Sequence, residues 1–195
     1  MILVTGGAGV MGSRLVKGLV ERGHQVRALI LPDDPCLARL EGAGCEVVVG
    51  DITDAASLDG IFQGVKTVYH LAAVIIHDDA EVLRRINVEG TRNVVDGAVR
   101  TGVEHFIYIS SVSATFPEGS DYARSKKQAE GIVKAQTKMR HTIVRPTLTY
   151  GKGEGQEFMM FMAGLKKFPV VPFIGRGEAR KNPVLADDVV AGLLS

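Results

Sequence analysis

A short β-type run, Ile2–Thr5, leads straight into Gly6-Gly7-Ala8-Gly9-Val10-Met11-Gly12 and from there into a segment with helical apolar spacing, Val10 to Arg22. No other feature narrows the choice of fold as far. One glycine permits a backbone conformation closed to other residues, a second lets a pyrophosphate reach the main chain, and a third lets helix and strand pack closely. The free N–H groups and positive dipole at the start of the helix then suit an anion. Glycine spacing alone is weak; strand, glycines and helix in this order make it informative.

The rest of the chain repeats the same alternation. Ile2–Thr5, Gln25–Ile30, Glu46–Val49, Thr67–Leu71, His105–Ser110 and Thr142–Val144 read as strands, apolar almost throughout instead of alternating. Strands covered on both faces of a parallel sheet have that pattern. Val10–Arg22, Pro35–Gly42, Asp54–Gly60, Ala80–Thr101 and Asp121–Lys138 carry helical spacing, with Gly23 and Gly102 placed to end two of the helices. The expected fold class is α/β, a doubly wound Rossmann-type parallel sheet with helices on both faces.

From Gly151 the composition shifts to glycine and proline, with Gly153, Gly155, Gly164, Gly175, Gly177, Pro169, Pro172 and Pro183. Loops around one helix near Gly155–Lys167 are expected, and a last helix from Ala186. Residues 1–150 therefore read as the dinucleotide-binding unit. Residues 151–195 read as a short or truncated substrate lobe, not an independent domain. The apolar stretch Phe158–Met162 is expected in the core, with the lining of a substrate pocket as the alternative.

Composition removes several classes of function. The 195 residues, 46% hydrophobic and 23% charged, suit a globular domain with a real core. With 23 basic against 22 acidic residues and no tryptophan, neither nucleic acid nor an anionic membrane surface is an expected partner. No apolar run approaches the roughly 18 residues that span a bilayer. Met1–Thr5 already reads as strand, which leaves no place for a charged and apolar leader, so the expected compartment is the cytoplasm. Cys36 and Cys45 fit neither a redox nor a zinc motif, and His77, Asp78 and Asp79 read as a solvated loop. No metal is expected, and the expected partner is a small-molecule substrate.

Further motifs follow in order: Gly50-Asp51-Ile52-Thr53-Asp54, His70-Leu71-Ala72-Ala73, Asn87-Val88-Glu89-Gly90-Thr91, Tyr122-Ala123-Arg124-Ser125-Lys126 and Arg145-Pro146-Thr147-Leu148-Thr149-Tyr150-Gly151. Together with the glycine turn they resemble the extended short-chain dehydrogenase/reductase superfamily, in its NAD-dependent epimerase/dehydratase group. Pro183–Val189 echoes a later family segment more loosely. The resemblance implies NAD or NADP as cofactor, held by Gly6, Gly9, Val10, Met11 and Gly12 at the turn and by Asp51, Ile52, Leu71, Ala72, Ala73, Tyr122, Lys126 and Pro146. It gives Asp51 the adenine amino group and Asn87 the propping of the active-site helices. It also implies homodimerisation through Ala80–Thr101 and Asp121–Lys138.

The chemistry centres on Tyr122 and Lys126, which lie four apart on one helix face. A tyrosine of pKa near 10 is a poor base at neutral pH, and a nearby ammonium is expected to favour its phenolate. Tyr122 can then pass a proton while hydride moves at a carbonyl or secondary alcohol. Ser110, Ser111 and Ser113, near the end of the fifth strand, are candidates to hold the substrate oxygen; alternation sends Ser111 and Ser113 to the same side if the strand persists, and family alignment favours Ser111, with Ser113 second.

The family pattern breaks in two places. Just after the second strand, where an acid or an arginine usually selects the cofactor, stand Ile30 and Leu31. Asp33 and Asp34 would repel a 2′-phosphate and Arg14 and Arg27 would attract one; the balance favours NAD. Family members acting on sugar nucleotides usually carry a further lobe of roughly a hundred residues, and Leu148 stands where many of them have asparagine. An oxidoreductase, epimerase or dehydratase acting on a nucleotide sugar thus competes with a reductase of a small carbonyl compound, and with a non-catalytic redox-sensing module.

Overall fold

The computed structural model describes residues 1–153, 156–167 and 182–195, without the side chains of residues 156, 157 and 161. Gly155, Pro169, Pro172, Gly175 and Gly177, on which the loop-rich reading of the tail partly rests, lie outside the described residues.

Strands β1 (Ile2–Thr5), β2 (Val26–Ile30), β3 (Glu46–Val49), β4 (Thr67–His70), β5 (His105–Ile109) and β6 (Arg140–Val144) form one parallel sheet in the order β3-β2-β1-β4-β5-β6. The order reverses between β1 and β4, so the connections leaving their carboxyl ends part there and open a crevice. Successive strand side chains go to opposite faces. Leu3 joins a core with Val94 and Ala98 of helix α3 (Gly90–Arg100) and Ala129 and Val133 of α4 (Asp121–Ala135). Val4 joins a second core with Leu15, Val16 and Leu19 of α1 (Val10–Glu21) and Val190 and Leu193 of α6 (Ala186–Leu193). Burial on both faces explains why the inner strands read as continuously apolar; at the sheet edge, Val47 and Val49 of β3 are exposed instead. Gly23 (φ 81°) and Gly102 (φ 75°) end their helices as expected.

Several local expectations are corrected. Pro35–Gly42 and Asp54–Gly60 hold only single 3₁₀ turns, Leu37–Leu40 and Ala55–Leu58. Left-handed Gly42 (φ 66°) and Gly60 (φ 79°) stand just beyond these turns and stop them. Ala80–Thr101 is not one uninterrupted α-helix. It comprises α2 (Ala80–Arg84), a π turn (Arg85–Glu89) and α3. In the tail, α5 (Gln156–Lys167) and α6 form as expected, but two strands were not anticipated. Leu148–Tyr150 (β7) pairs in parallel with Pro183–Leu185 (β8). At three residues each they are too short to declare a period. Met159, Met160 and Met162 are exposed instead of entering the core.

The glycine turn is packed more tightly than any residue with a side chain allows. A Cβ on Gly12 would overlap the carbonyl oxygen of Gly6. Gly12→Ala is therefore expected to destabilise the fold by about 3 kcal/mol, measured by urea unfolding at pH 7. An unchanged midpoint would contradict this packing.

Candidate active site

Gly6 adopts φ 67°, and a Cβ there would stand 2.9 Å from the Ala72 amide nitrogen, so the turn lies directly against the chain leaving β4. The Gly9 amide donates back to Gly6 O (3.0 Å) and the Gly7 amide to Leu29 O (3.1 Å). Among the described residues the amides of Val10, Met11 and Gly12, at the head of α1, find no backbone acceptor. They are the unfilled donors of a helix start, where the dipole favours an anion.

Beside them a cleft of about 300 Å³ opens at the carboxyl ends of β1 to β4. Seven residues expected at a cofactor site line it: Gly6, Gly9, Asp51, Ile52, Leu71, Ala72 and Ala73. Asp51 Oδ1 accepts from the Thr53 amide (2.8 Å), while Asp54 Oδ1 accepts from the Ala56 amide (3.0 Å), so both aspartates also shape their loop. Glycines packed against backbone, free amides and an apolar slot beside a carboxylate suit the diphosphate and adenosine of a dinucleotide.

A chain of buried hydrogen bonds joins this cleft to α4. Thr5 and His70 are direct partners across β1 and β4. Their side chains meet at 2.6 Å, and the other ring nitrogen of His70 meets the Thr91 hydroxyl at 2.9 Å. Thr91 donates its own proton to Asn87 O (2.7 Å). It can therefore only accept from His70 Nε2–H, which leaves Nδ1 to accept from Thr5. Burial, reinforced by the charge of Lys126, pushes the His70 pKa down to about 3, so the ring is neutral. Asn87 Oδ1 accepts from the Val74 amide (2.9 Å), and its Nδ2 donates to Val74 O (2.8 Å) and to Ser125 Oγ (2.9 Å). Ser125 in turn donates to Tyr122 O (2.8 Å).

Ser111, Tyr122, Lys126 and Pro146 gather at the ends of β5 and β6, outside the cleft lining. The strand stops at Ile109, so the alternation expected of Ser111 and Ser113 gives way to a 3₁₀ turn, Val112–Thr115, capped by Ser111. Ser111 Oγ accepts from both the amide (3.2 Å) and the hydroxyl (2.9 Å) of Ser113, leaving its own proton to donate. Pro146 O accepts from the Val112 amide (3.0 Å), bracing that turn. Lys126 is 2% exposed; its Nζ donates to Ile109 O (2.7 Å) and lies 4.3 Å from the centre of the Tyr108 ring. Burial lowers its pKa to about 7, against the pull of Glu130. Tyr122 departs from expectation. Its burial raises the pKa, the nearby Ser111 hydroxyl lowers it, and Lys126 is not among the causes of the shift.

Sequence reasoning missed Thr5 and Thr91 as the partners of His70, and Val74, Arg85 and Ile86 as cleft lining. Nothing in their spacing signals this, because strand register and the π turn bring them there. His77 Nδ1 accepts from the Asp79 amide (3.0 Å), a local turn, and no group of three metal-ligating side chains occurs among the described residues. Among those residues, too, no helix is long and apolar enough to cross a membrane.

The neutral His70 has a consequence for stability. Its folded pKa is depressed, so the unfolded chain takes up a proton first, and stability is lost as pH falls through 6.5 toward 3. Between pH 6.5 and 5 the loss is about 2 kcal/mol. Urea midpoints at pH 7 and pH 5 should therefore fall less for His70→Gln than for the unaltered chain; an equal fall would contradict the buried neutral ring.

Comparison with known proteins agrees with this geometry. Residues 2–195 match the family described as "NAD dependent epimerase/dehydratase family". A 3 beta-hydroxysteroid dehydrogenase/Delta 5-->4-isomerase of Mycobacterium tuberculosis is 32% identical over 99% of this chain and 59% of its own length. A ceramide reductase of Caulobacter vibrioides is 31% identical over 100% of this chain and 60% of its own length. The chain thus spans about three-fifths of these curated relatives. Among solved structures, a UDP-glucose 4-epimerase of Thermotoga maritima with UDP-glucose superposes with TM-score 0.81, at 26% identity over 97% of this chain and 71% of that one. A dTDP-glucose 4,6-dehydratase of Streptomyces venezuelae, solved with NAD, gives TM-score 0.80 at 27% identity, over 99% of this chain and 70% of that one. Together with the glycine turn, the crevice and the residues gathered beyond β5, these likenesses establish that the chain belongs to the NAD-dependent epimerase/dehydratase family.

Proposed function

We propose that the chain is the cofactor-binding and catalytic part of an NAD(P)-dependent oxidoreductase acting at a carbonyl or secondary alcohol. The observation that carries this reading is the meeting of Ser111, Tyr122 and Lys126 beyond β5, next to a crevice shaped for a dinucleotide. In this reading the amides at the head of α1 hold the diphosphate, and Asp51 and Ile52 hold the adenine. Residues 1–150 form this unit, and residues 151–195 belong to the substrate side. When bound, the dinucleotide supplies the redox partner.

Each side chain then has a part in the proton chemistry. Ser111 has one free proton: given to the Tyr122 oxygen it favours the charged form of the phenol, and turned to the substrate oxygen it holds the substrate instead. Tyr122 gives or takes the proton at that oxygen. Lys126, fixed at Ile109 O, has two further donors with which to orient the nicotinamide ribose. Because its pKa lies near 7, a bound anion nearby keeps it charged.

Exposed apolar side chains favour an apolar carbonyl or alcohol over a nucleotide sugar. Ile75 and Ile76, on the chain leaving β4, are 64% and 78% exposed, and Phe116, beyond the turn of Ser111, is 52% exposed. Exposed apolar side chains on the connections that leave β4 and β5 support an apolar substrate. Two curated relatives are named for a hydroxysteroid and a ceramide. A homodimer through α3 and α4 fits the family pattern and belongs to the same proposal.

Tyr122→Phe is expected to lower turnover at least about a hundredfold, the scale of losing a general acid–base group, with cofactor affinity within about twofold. The assay is cofactor reduction with steroid alcohols, long-chain alcohols and nucleotide sugars as donors. Full activity in the variant would reject the role of Tyr122. Tight cofactor binding with no turnover of any donor would favour the non-catalytic module.

A further inference from the structure

Rossmann folds usually distinguish NAD from NADP just beyond β2, where an acid takes the ribose 2′-hydroxyl or an arginine takes the 2′-phosphate. Here that place is held by Leu31, 51% exposed and unable to do either. The chain then bends sharply. Pro32 is followed by Asp33 at φ 53°, a left-handed conformation uncommon outside glycine and asparagine. Past that bend, Asp34 lines the cleft together with Ile30, Leu31 and Gly6. Its Oδ1 accepts from the Cys36 amide (2.8 Å), which orients the carboxylate and leaves Oδ2 without a protein partner among the described residues.

Of the cations that could answer a 2′-phosphate, Arg14 and Arg27 are held in ion pairs away from the cleft and Arg39 is tied to the backbone of the glycine turn. Arg14 donates to Lys152 O (2.7 Å) and pairs with Asp187 (3.1 Å). Arg27 donates to Ile61 O (2.6 Å) and pairs with Glu46 (3.0 Å). Arg39 donates to Ala8 O (3.2 Å). Arg85 lines the cleft, but it belongs to the connection that leaves β4, on the far side of β1 from β2.

We infer that Asp34 accepts a hydrogen bond from the ribose 2′-hydroxyl of the adenosine half, and thereby selects NAD(H) over NADP(H). The inference rests on the dinucleotide reading above. It transfers the selecting role from the place of Leu31 to a bent turn three residues further on. A 2′-phosphate in the same place would bring its charge against the carboxylate and lose the donor that Asp34 needs.

Calorimetric and fluorescence titrations with NADH and NADPH test it. The unaltered chain should bind NADH at least about tenfold more tightly, the scale of one hydrogen bond to a charged group. Asp34→Asn keeps an oxygen for the Cys36 amide and so preserves the turn; it should bring the two dissociation constants within about threefold of each other. Asp33→Asn removes a charge that does not line the cleft and should leave the preference intact. Equal or tighter NADPH binding by the unaltered chain overturns the inference. So does an unchanged preference in Asp34→Asn, or a preference lost equally in Asp33→Asn, which would indicate diffuse charge. Dinucleotide binding with any of these outcomes removes the Asp34 role alone; no binding of either dinucleotide removes the parent reading as well.

Discussion

The short hydrogen bond between Thr5 and His70 ties the two strands at which the sheet order reverses, and the arrangement of the site depends on it. Thr5 also accepts from the Ala72 amide (3.3 Å), so one hydroxyl fixes both the histidine and the start of the crevice wall. From His70 the bonding continues through Thr91 to Asn87 and on to the first turn of α4. Each donor has an acceptor, which a buried polar chain requires if it is to stiffen a core instead of weakening it. The half of the molecule suited to a diphosphate and the half bearing the phenol are thereby held as one frame.

A second anchor stands behind α4. Glu130 takes a hydrogen bond from Ser110 (2.7 Å), a two-point contact from Arg145 (2.7 and 2.6 Å) and an ion pair with Lys134 (3.0 Å). The Arg145 contact is the main reason its carboxyl is held down at about 2. A buried carboxylate is tolerable only with such partners. The arrangement separates neighbouring serines: Ser110 is committed to Glu130, while Ser111 is free to face Tyr122. It also gives the arginine of the Arg145–Gly151 motif a structural task.

Much of this was legible in the sequence because it is carried by local pattern. The glycine turn, the six strands of the main sheet and the long helices are encoded in apolar runs and spacing, and seven of the expected cofactor residues do share one cleft. The features that stayed hidden depend on register or on competition between nearby groups. The pairing of Thr5 with His70 spans 65 positions. Burial raises the Tyr122 pKa, which spacing does not reveal. Strands β7 and β8 were hidden by their brevity, and the exposed methionines of α5 by the assumption that apolar residues go inside.

The π turn between α2 and α3 accommodates one more residue than an α turn, which shifts the angular phase of α2 by roughly 100° relative to α3. Arg85 and Ile86 thus border the adenosine cleft while Asn87, immediately after, points at Val74 and Ser125. One stretch of backbone borders the cleft and braces α4 at once. The irregularity makes the length of this segment, more than its composition, the quantity that evolution or an engineer is least free to alter.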